Sequence, residues 1–447
     1  MPDTEPVLLQ PGRGWELGEW TDDTSMAVPI LDALARGERL DDAEVLGAIV
    51  REWRAWSKTA KDVGIQTRRL LTSLSPDATE HDSLRAARAV HEATGRSGGN
   101  GSLMRTGPVA LGFLGGDAPQ SRRALSVAAR RLSDLTHYEQ DAGDACVIWS
   151  LAIRHAILSG EYDVRSGIEV LPEARRARWH QLLDVAESNA PRDIPGSNGW
   201  VVAALQAAWS AIVRGEGLLD TLERAVRCGH DTDTVAAIAG SLAGAKWGAS
   251  ALPWSLRRHL HGWPRINGDE LVRRAALAAR GGHPDDDGWP SADRFSPTPL
   301  HAPVRHPFDD GVWLGALDGL DHLPEGVDAV VSLCRTGRAQ TPGFVQPENR
   351  DAVWLIDRPG RNADPEFVLA DTADAIATLR AESRVVYVHC YEARSRTPSV
   401  AAAYAVRHRG IDPDAAFDAI ARVLLTSDPK EFLVDAVRRL GGPTFAG

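Results

Sequence analysis

Residues 229–234, Gly229-His230-Asp231-Thr232-Asp233-Thr234, run straight into the small-residue stretch VAAIAGSLAGAKWG at 235–248, which has helical periodicity. Carboxylates and a hydroxyl at a helix start meet unpaired N–H groups and the positive end of the macrodipole, so capping alone would account for one Asp and one Thr. The chain carries the same pattern a second time: Thr21-Asp22-Asp23-Thr24 opens the apolar stretch MAVPILDALARG at 26–37. If the two helix starts face each other, they pool four carboxylates and several hydroxyls, hard oxygen donors of the kind that Mg²⁺ or Mn²⁺ takes. Four negative charges match two divalent cations. Without such partners, buried carboxylates are costly or protonate.

At these two motifs the chain resembles the ADP-ribosylglycohydrolase family, relatives of dinitrogenase reductase-activating glycohydrolase, over about residues 15–265. The resemblance implies an all-α domain holding two divalent cations, Mg²⁺ or Mn²⁺, with Thr21, Asp22, Asp23, Asp231, Asp233 and Thr234 as ligands. Asp22 or Asp23 would then serve as the catalytic base. The implied substrate is an ADP-ribosylated protein or an ADP-ribose-containing small molecule.

Between the motifs, 41–56 and 82–93 show the three-to-four spacing of amphipathic helices. At 94–116 the chain turns glycine-rich (TGRSGGNGSLMRTGPVALGFLGG). Glycines 98, 99 and 101 would free the backbone for positive φ and an anion-binding nest, unless the run is only a flexible connection. By the resemblance, Gly99, Asn100, Gly101, Ser102, Met104 and Arg105 lie along the ADP-ribose, and Thr136-His137, at the start of a helix over 133–158, brings His137 to the substrate. Residues 201–213 are apolar on nearly every side, which predicts a central helix. Trp200, just before it, would stack on a base or ribose, or pack in the core. Family members usually begin with a further helix bearing a Gly-Asp-Ala-Leu-Gly type motif and often a Glu, whereas 20 residues precede Thr21 here. That departure implies a sequence shortened at its N-terminus, a non-catalytic reader of ADP-ribose, or another segment in the helix's place.

With 447 residues the chain is long enough for two or three domains, and its 43% hydrophobic and 25% charged residues are those of a globular protein. The net charge of −11 argues against nucleic acid or an anionic membrane as principal partner. No signal peptide or membrane span is visible, and the four Cys (146, 228, 334, 390) lack CxxC spacing, which predicts a reducing cytoplasmic setting.

Composition shifts after Trp263-Pro264. The pattern predicts an all-α domain over 1–265, a linker over 266–309 that is rich in Pro, Gly and Asp from 281 on, and an α/β domain over 310–447. In the last part VWLGAL, AVVSLC, AVWLIDRP and RVVYVH read as strands and VLADTADAIATLRAE as a helix. RVVYVH leads directly into Cys390-Tyr391-Glu392-Ala393-Arg394-Ser395-Arg396-Thr397 and the helix PSVAAAYAVRH. A Cys and an Arg separated by five residues, between a strand and a helix, form a phosphate cradle. Backbone N–H groups and the helix start favour a thiolate nucleophile, and the guanidinium forks onto phosphoryl oxygens. Here the chain resembles the dual-specificity and tyrosine phosphatases. The resemblance implies Cys390 as nucleophile, Arg396 as phosphate binder, Asp357 as general acid and a phosphorylated substrate. Where that family has Gly, this chain has Ala393, which would be strained at positive φ by about 1 kcal/mol. The reading is a fused glycohydrolase and phosphatase. A non-catalytic ADP-ribose-binding module attached to a phosphatase is the alternative.

Overall fold

A computed structural model describes residues 9–12, 14–115, 118–295 and 302–441. Packing divides the chain into two units, Met1–Gly248 with Leu260–His283, and Ala249–His259 with Pro284–Gly447. Among the described residues no helix is long and apolar enough to cross a membrane.

The first unit is helical. It is built from α1 (Asp22–Ala35), α2 (Ala43–Ser57), α3 (Ile65–Ser73), α4 (Glu80–Thr94), α5 (Ala118–Asp134), α6 (Gln140–Ser159), α7 (Arg165–Ile168), α8 (Glu173–Ser188), α9 (Val201–Arg214), α10 (Leu218–Val226) and α11 (Thr232–Trp247). α2 and α4 fall where periodicity predicts helices. α4 begins on a reciprocal Thr79–Asp82 capping box and ends on Gly95 at φ 64. α9 is buried at every position from 201 to 212 and is central, as an all-apolar helix must be. The expected helix over 133–158 is interrupted: α5 ends at Asp134, α6 begins at Gln140, and His137 lies in the connection between them.

The domain boundaries differ from those expected at 265 and 310. Residues 249–259, including the short α12 (Trp254–Arg257), belong to the second unit, whereas β1 (His261–Gly262), β2 (Ile266–Asn267) and α13 (Gly268–Ala279) belong to the first. α13 lies inside the stretch expected as linker, yet Asn267 caps it by accepting from the Glu270 N–H at 3.0 Å. Arg274 ties α13 to Asp32 of α1 at 2.6 and 2.8 Å. Of the remaining linker, residues 296–301 lie outside the described residues.

The second unit is α/β. Its sheet contains β3 (Val304–His306), β4 (Asp309–Ala316), β5 (Val327–Ser332), β6 (Arg350–Ala352) and β7 (Val385–Cys390) in the order β3-β4-β7-β5-β6, all parallel except β3. Helices α14 (Pro365–Ala381), α15 (Arg396–Arg409), α16 (Pro413–Val423) and α17 (Glu431–Leu440) complete it. The strand expected through Trp354-Leu355-Ile356 stops at Ala352. Val353 and Leu355 are buried and Trp354 and Ile356 exposed, so the alternation is real, but the neighbouring β5 has ended at Ser332. Asp357 therefore stands on irregular chain.

Trp254 anchors the 249–259 segment in the α/β core. Its ring is buried, its indole N–H donates to Arg350 O at 3.0 Å, its backbone N–H donates to Asp371 at 3.0 Å, and the Arg258 guanidinium stacks on it at 4.1 Å. Trp254→Ala is expected to destabilise this unit by about 3–5 kcal/mol. In calorimetry of the full chain, the transition of the α/β unit should fall while that of the helical unit stays. A shift of the helical transition instead would refute the assignment.

Asp309 is the electrostatic knot of the same unit. Burial alone would raise its carboxyl, but Arg380 at 3.1 Å, Tyr404 at 2.7 Å, the Gly311 N–H at 2.9 Å and Arg409 outweigh burial and hold it well below the usual carboxylate range. An unfolded Asp titrates near about 3.9. Because the folded value is lower, the stabilisation is complete above that pH and is lost as pH falls through the folded value. Asp309→Asn should destabilise by about 3 kcal/mol at neutral pH, and urea unfolding should show the gap from wild type narrowing below about pH 4.

Candidate active sites

In the helical unit the starts of α1 and α11 approach each other. Thr21 and Asp231 occupy the N-cap positions, but neither side chain caps its helix. Instead the Thr21 hydroxyl donates to Asp23 Oδ2 at 2.6 Å, and Thr234 of α11 hydrogen-bonds Asp23 of α1. Asp23 Oδ1 is buried with no hydrogen-bond partner among the described residues. Asp22 Oδ2 accepts the Gly64 N–H at 3.3 Å.

The clustered charges act on one another. Burial, then the charge of Asp62, pushes the Asp22 carboxyl up to about 6, and burial with Asp22 pushes Asp23 up to about 7. Burial and Asp231 raise Asp233. Among the described residues no three His, Cys, Asp or Glu are drawn into one group that would hold a metal. The donor chemistry nevertheless fits hard divalent cations: all the donors are carboxylate or hydroxyl oxygens, one is an orphan, and the excess negative charge is what a cation would relieve.

The turn before α11 aims its first carboxylate. Gly229 and His230 both take positive φ, 84 and 60, and buried Asn198 locks the turn by donating to Gly229 O at 2.8 Å and accepting the Asp231 N–H at 3.2 Å. Asn100 joins this turn to the glycine loop, donating to Asn198 O at 2.8 Å and to Asp231 Oδ2 at 2.6 Å. Asn100, from the loop expected along the ligand, thus touches a carboxylate from the expected metal set.

The glycine loop follows a different logic from the expected nest. Gly98, Gly99 and Gly101 do not take positive φ. They are glycines because side chains crowd beneath them: a Cβ would meet Glu139 at 2.7 Å from Gly98, and the His137 ring at 3.3 Å from Gly99 and 3.2 Å from Gly101. His137 is held below its ordinary value by burial and by Arg105, so its ring is neutral. Arg105 donates to the Thr136 hydroxyl at 2.6 Å, whose own proton then goes to His137 Nδ1 at 2.7 Å. That chain assigns the ring proton to Nε2, the edge under the loop. Arg105 itself is fully buried. It also donates to Gly101 O at 3.1 Å and Leu132 O at 3.3 Å, and stacks over Trp53 at 4.2 Å. It supports the loop from within rather than offering its terminal nitrogens to a ligand. Ser102 likewise faces inward, toward Ser133 at 3.0 Å and Cys146 at 3.5 Å, and Met104 packs in the core. Trp200 is not core. It is 38% exposed, and its backbone bridges Gly99.

Three participants escaped the sequence reading. Asp62 adds a fifth carboxylate beside Asp22. Gln66 donates to Ser97 O at 3.1 Å and Thr136 O at 2.9 Å, stitching α3 to the loop and to the His137 turn. Asn198 is the third. Asp62 precedes α3 and Gln66 lies in its first turn, where an ordinary loop-to-helix junction gives the same letters.

In the α/β unit Cys390 ends β7, buried, beside Ala316 and in register with it. The carbonyls of the following loop are engaged from outside: Tyr391 O by the Leu317 N–H at 3.3 Å, Ala393 O by Thr426 at 3.2 Å and Arg394 O by the Asp428 N–H at 2.7 Å. In a trans peptide the next N–H points the opposite way, so those of Glu392, Arg394 and Ser395 turn away from these partners. Ala393 sits at φ 53, in the strained position anticipated for it. Arg396 donates to Leu333 O at 2.7 Å, and its Nε is buried with no partner among the described residues, an orphan donor suited to an oxyanion. Cys334, the neighbouring thiol, is pushed up to about 12 by burial and by Cys390, so it stays protonated. His389 is pushed down to about 4 by burial and bonds Ser332 at 2.7 Å. Asp357 Oδ1 accepts the Ser395 hydroxyl at 2.8 Å. The cradle, its Arg and the expected acid are thus assembled together.

A family model described as ADP-ribosylglycohydrolase matches residues 3–285. The chain belongs to the ADP-ribosylglycohydrolase family. Its glycohydrolase part is 29% identical over 252 residues to an ADP-ribosylarginine hydrolase, Tri1, of Pseudomonas putida (strain GB-1), a match that covers 53% of this chain and 61% of that protein, so the chain spans less than two thirds of that relative's length. Among solved structures, an ADP-ribosylglycohydrolase-related protein complex aligns with TM-score 0.45 and 26% identity over 63% of this chain and 89% of that one. The crystal structure of human DUSP28 aligns with TM-score 0.29 and 22% identity over 33% of this chain and 97% of that one.

Proposed function

We propose that the helical unit hydrolyses the bond between ADP-ribose and a protein side chain, arginine first, and that the α/β unit is a cysteine-dependent phosphatase. The observation that carries the first reading is the facing pair of helix starts, whose N-cap side chains, Thr21 and Asp231, cap neither helix, with Asp231 bonded instead by Asn100 of the glycine loop. Arginine as acceptor is supported by the likeness to a protein named ADP-ribosylarginine hydrolase.

Thr21, Asp22, Asp23, Asp231, Asp233 and Thr234 would hold two divalent cations, Mg²⁺ or Mn²⁺, which when bound supply charge for the ribose hydroxyls and an acidified water. The chain's own residues do the rest. The glycine loop, propped by His137 and Arg105, cradles the ADP-ribose. Asp22 or Asp23 accepts the water's proton as the water oxygen bonds to the anomeric carbon and the bond to the guanidine nitrogen breaks. The products are ADP-ribose and free arginine, through an oxocarbenium-like transition state.

In the second site the Cys390 thiolate bonds to phosphorus, the phosphorus–oxygen ester bond breaks, and Asp357 gives its proton to the departing oxygen. Water then cleaves the cysteinyl phosphate, returning a proton to Asp357. Support comes from the loop carbonyls engaged by neighbouring segments, which turns the following N–H groups away from those segments, and from the orphan Arg396 Nε.

The test of the first reading is release of ADP-ribose from an ADP-ribosylated arginine substrate with Mg²⁺ or Mn²⁺, comparing the full chain with Asp231→Ala,Asp233→Ala. Folded protein that binds ADP-ribose and releases none would overturn the hydrolase in favour of a reader.

A further inference from the structure

We infer that Ser395 is the positioning residue for the general acid of the α/β unit, an inference that rests on the phosphatase reading. Asp357 stands on chain that has left the sheet, tied back one residue earlier where Asn362 bonds both the N–H and the carbonyl of Ile356 at 2.7 Å. Its carboxyl is held from the cradle: the Ser395 hydroxyl donates to Asp357 Oδ1 at 2.8 Å.

A second bond completes the hydroxyl. Ser395 Oγ accepts the Lys430 N–H at 3.2 Å on one of its two lone pairs and donates its single proton to Asp357 Oδ1. Ser395 is buried and begins α15, with its carbonyl taken by Ser399. The residues around Lys430 are themselves clamped to the cradle through Asp428, whose N–H meets Arg394 O at 2.7 Å and whose carboxylate meets the Arg394 guanidinium at 2.6 and 3.0 Å. The acid is thereby registered to the same rigid loop that carries the nucleophile.

With Oδ1 taken as acceptor, the acidic proton of Asp357 resides on Oδ2. When sulfur bonds to phosphorus and the ester oxygen leaves, that proton moves from Oδ2 to the leaving oxygen, and the Ser395 bond then stabilises the new carboxylate. Ser395 contacts neither phosphorus nor leaving group. Its effect passes through Asp357 and so scales with how much the leaving group needs a proton.

The experiment measures kcat/KM of the full chain and of Ser395→Ala on phenyl phosphate, whose leaving oxygen needs a proton, and on 4-nitrophenyl phosphate, whose leaving group departs readily without one. The expected result is a rise of about tenfold in the ratio of nitrophenyl to phenyl kcat/KM, in the direction of the larger rise given by Asp357→Asn. Alkylation of Cys390 by iodoacetate, followed on its own peptide, reports separately on the cradle. An equal fall on both substrates, slowed alkylation included, would make Ser395 a structural member of the loop and overturn the inference. No fall on either would overturn it too. A wild type without turnover on both esters, yet alkylated normally at Cys390, would overturn the phosphatase reading itself, a result distinct from the other two.

Discussion

Cys390→Ser is expected to abolish the proposed phosphomonoester turnover, by about 10⁴-fold or more, and to leave the proposed ADP-ribose release by the same chain unchanged. The cradle offers no second nucleophile. Cys334 lies near enough to be affected by Cys390, but burial keeps its thiol protonated, and His389 faces Ser332 rather than the anion. Serine matches cysteine in shape, so the N–H groups and Arg396 should still gather around an oxyanion. What is lost is the sulfur nucleophile and the covalent intermediate that divides the reaction into two steps. The variant should therefore bind inorganic phosphate as wild type does while failing to hydrolyse any aryl phosphate. Ala393 at φ 53 stores about 1 kcal/mol of strain beside the nucleophile, and this strain is unaltered by the substitution. Turnover that survives in Cys390→Ser would move the activity elsewhere in the chain, most directly to the cation site, where chelation would remove it.

What can be read from the letters follows the length scale of the signal. α2, α4 and α9 repeat a pattern over several turns, and β4, β5 and β7 are short β-branched runs between turn signals, so periodicity locates them. The two acidic helix starts and the C-x5-R run are legible because each concentrates its chemistry in consecutive residues. Contacts between distant residues are not. Trp254 follows a Leu-Pro pair near the end of the helical domain, and nothing local distinguishes a tryptophan bound for its own core from one that packs into the next unit. α13 reads as linker because its neighbours at 281–295 are rich in Pro, Gly and Asp, although a capping Asn267 and an amphipathic run precede them. Arg105 is expected along the ligand because the run Asn-Gly-Ser-Leu-Met-Arg resembles the family's loop. Its burial over Trp53 is a tertiary fact. The glycines themselves stand out rightly in the sequence but for a different reason, since they answer to crowding by His137 and Glu139 rather than to positive φ.

Asp231→Asn,Asp233→Asn has two opposite expected effects, and together they isolate the cation site. Release of ADP-ribose falls by roughly 10³-fold, the loss of several kcal/mol of transition-state stabilisation supplied by the site. Stability without added metal rises, by about 1–2 kcal/mol or a few degrees in the midpoint of the helical unit, because two of five mutually repelling carboxylates become neutral at nearly constant volume. The amide carbonyl introduced at position 231 can still accept the Asn100 side-chain N–H, so the loop keeps its tie to α11. Wild type, by contrast, should gain about 3 kcal/mol when Mg²⁺ or Mn²⁺ is present at a hundred times its dissociation constant, and lose it to a chelator, whereas the variant should not respond. A thermal scan of both proteins with and without metal reads all four values. If the site were only a pair of capped helix ends, the substitutions would remove favourable interactions with the N-terminus of α11, lowering stability, and metal would shift neither protein. The sign of the change without metal thus decides between capping and cation binding before any substrate is supplied, and it does so because Thr21 and Asp231 leave their own helices uncapped.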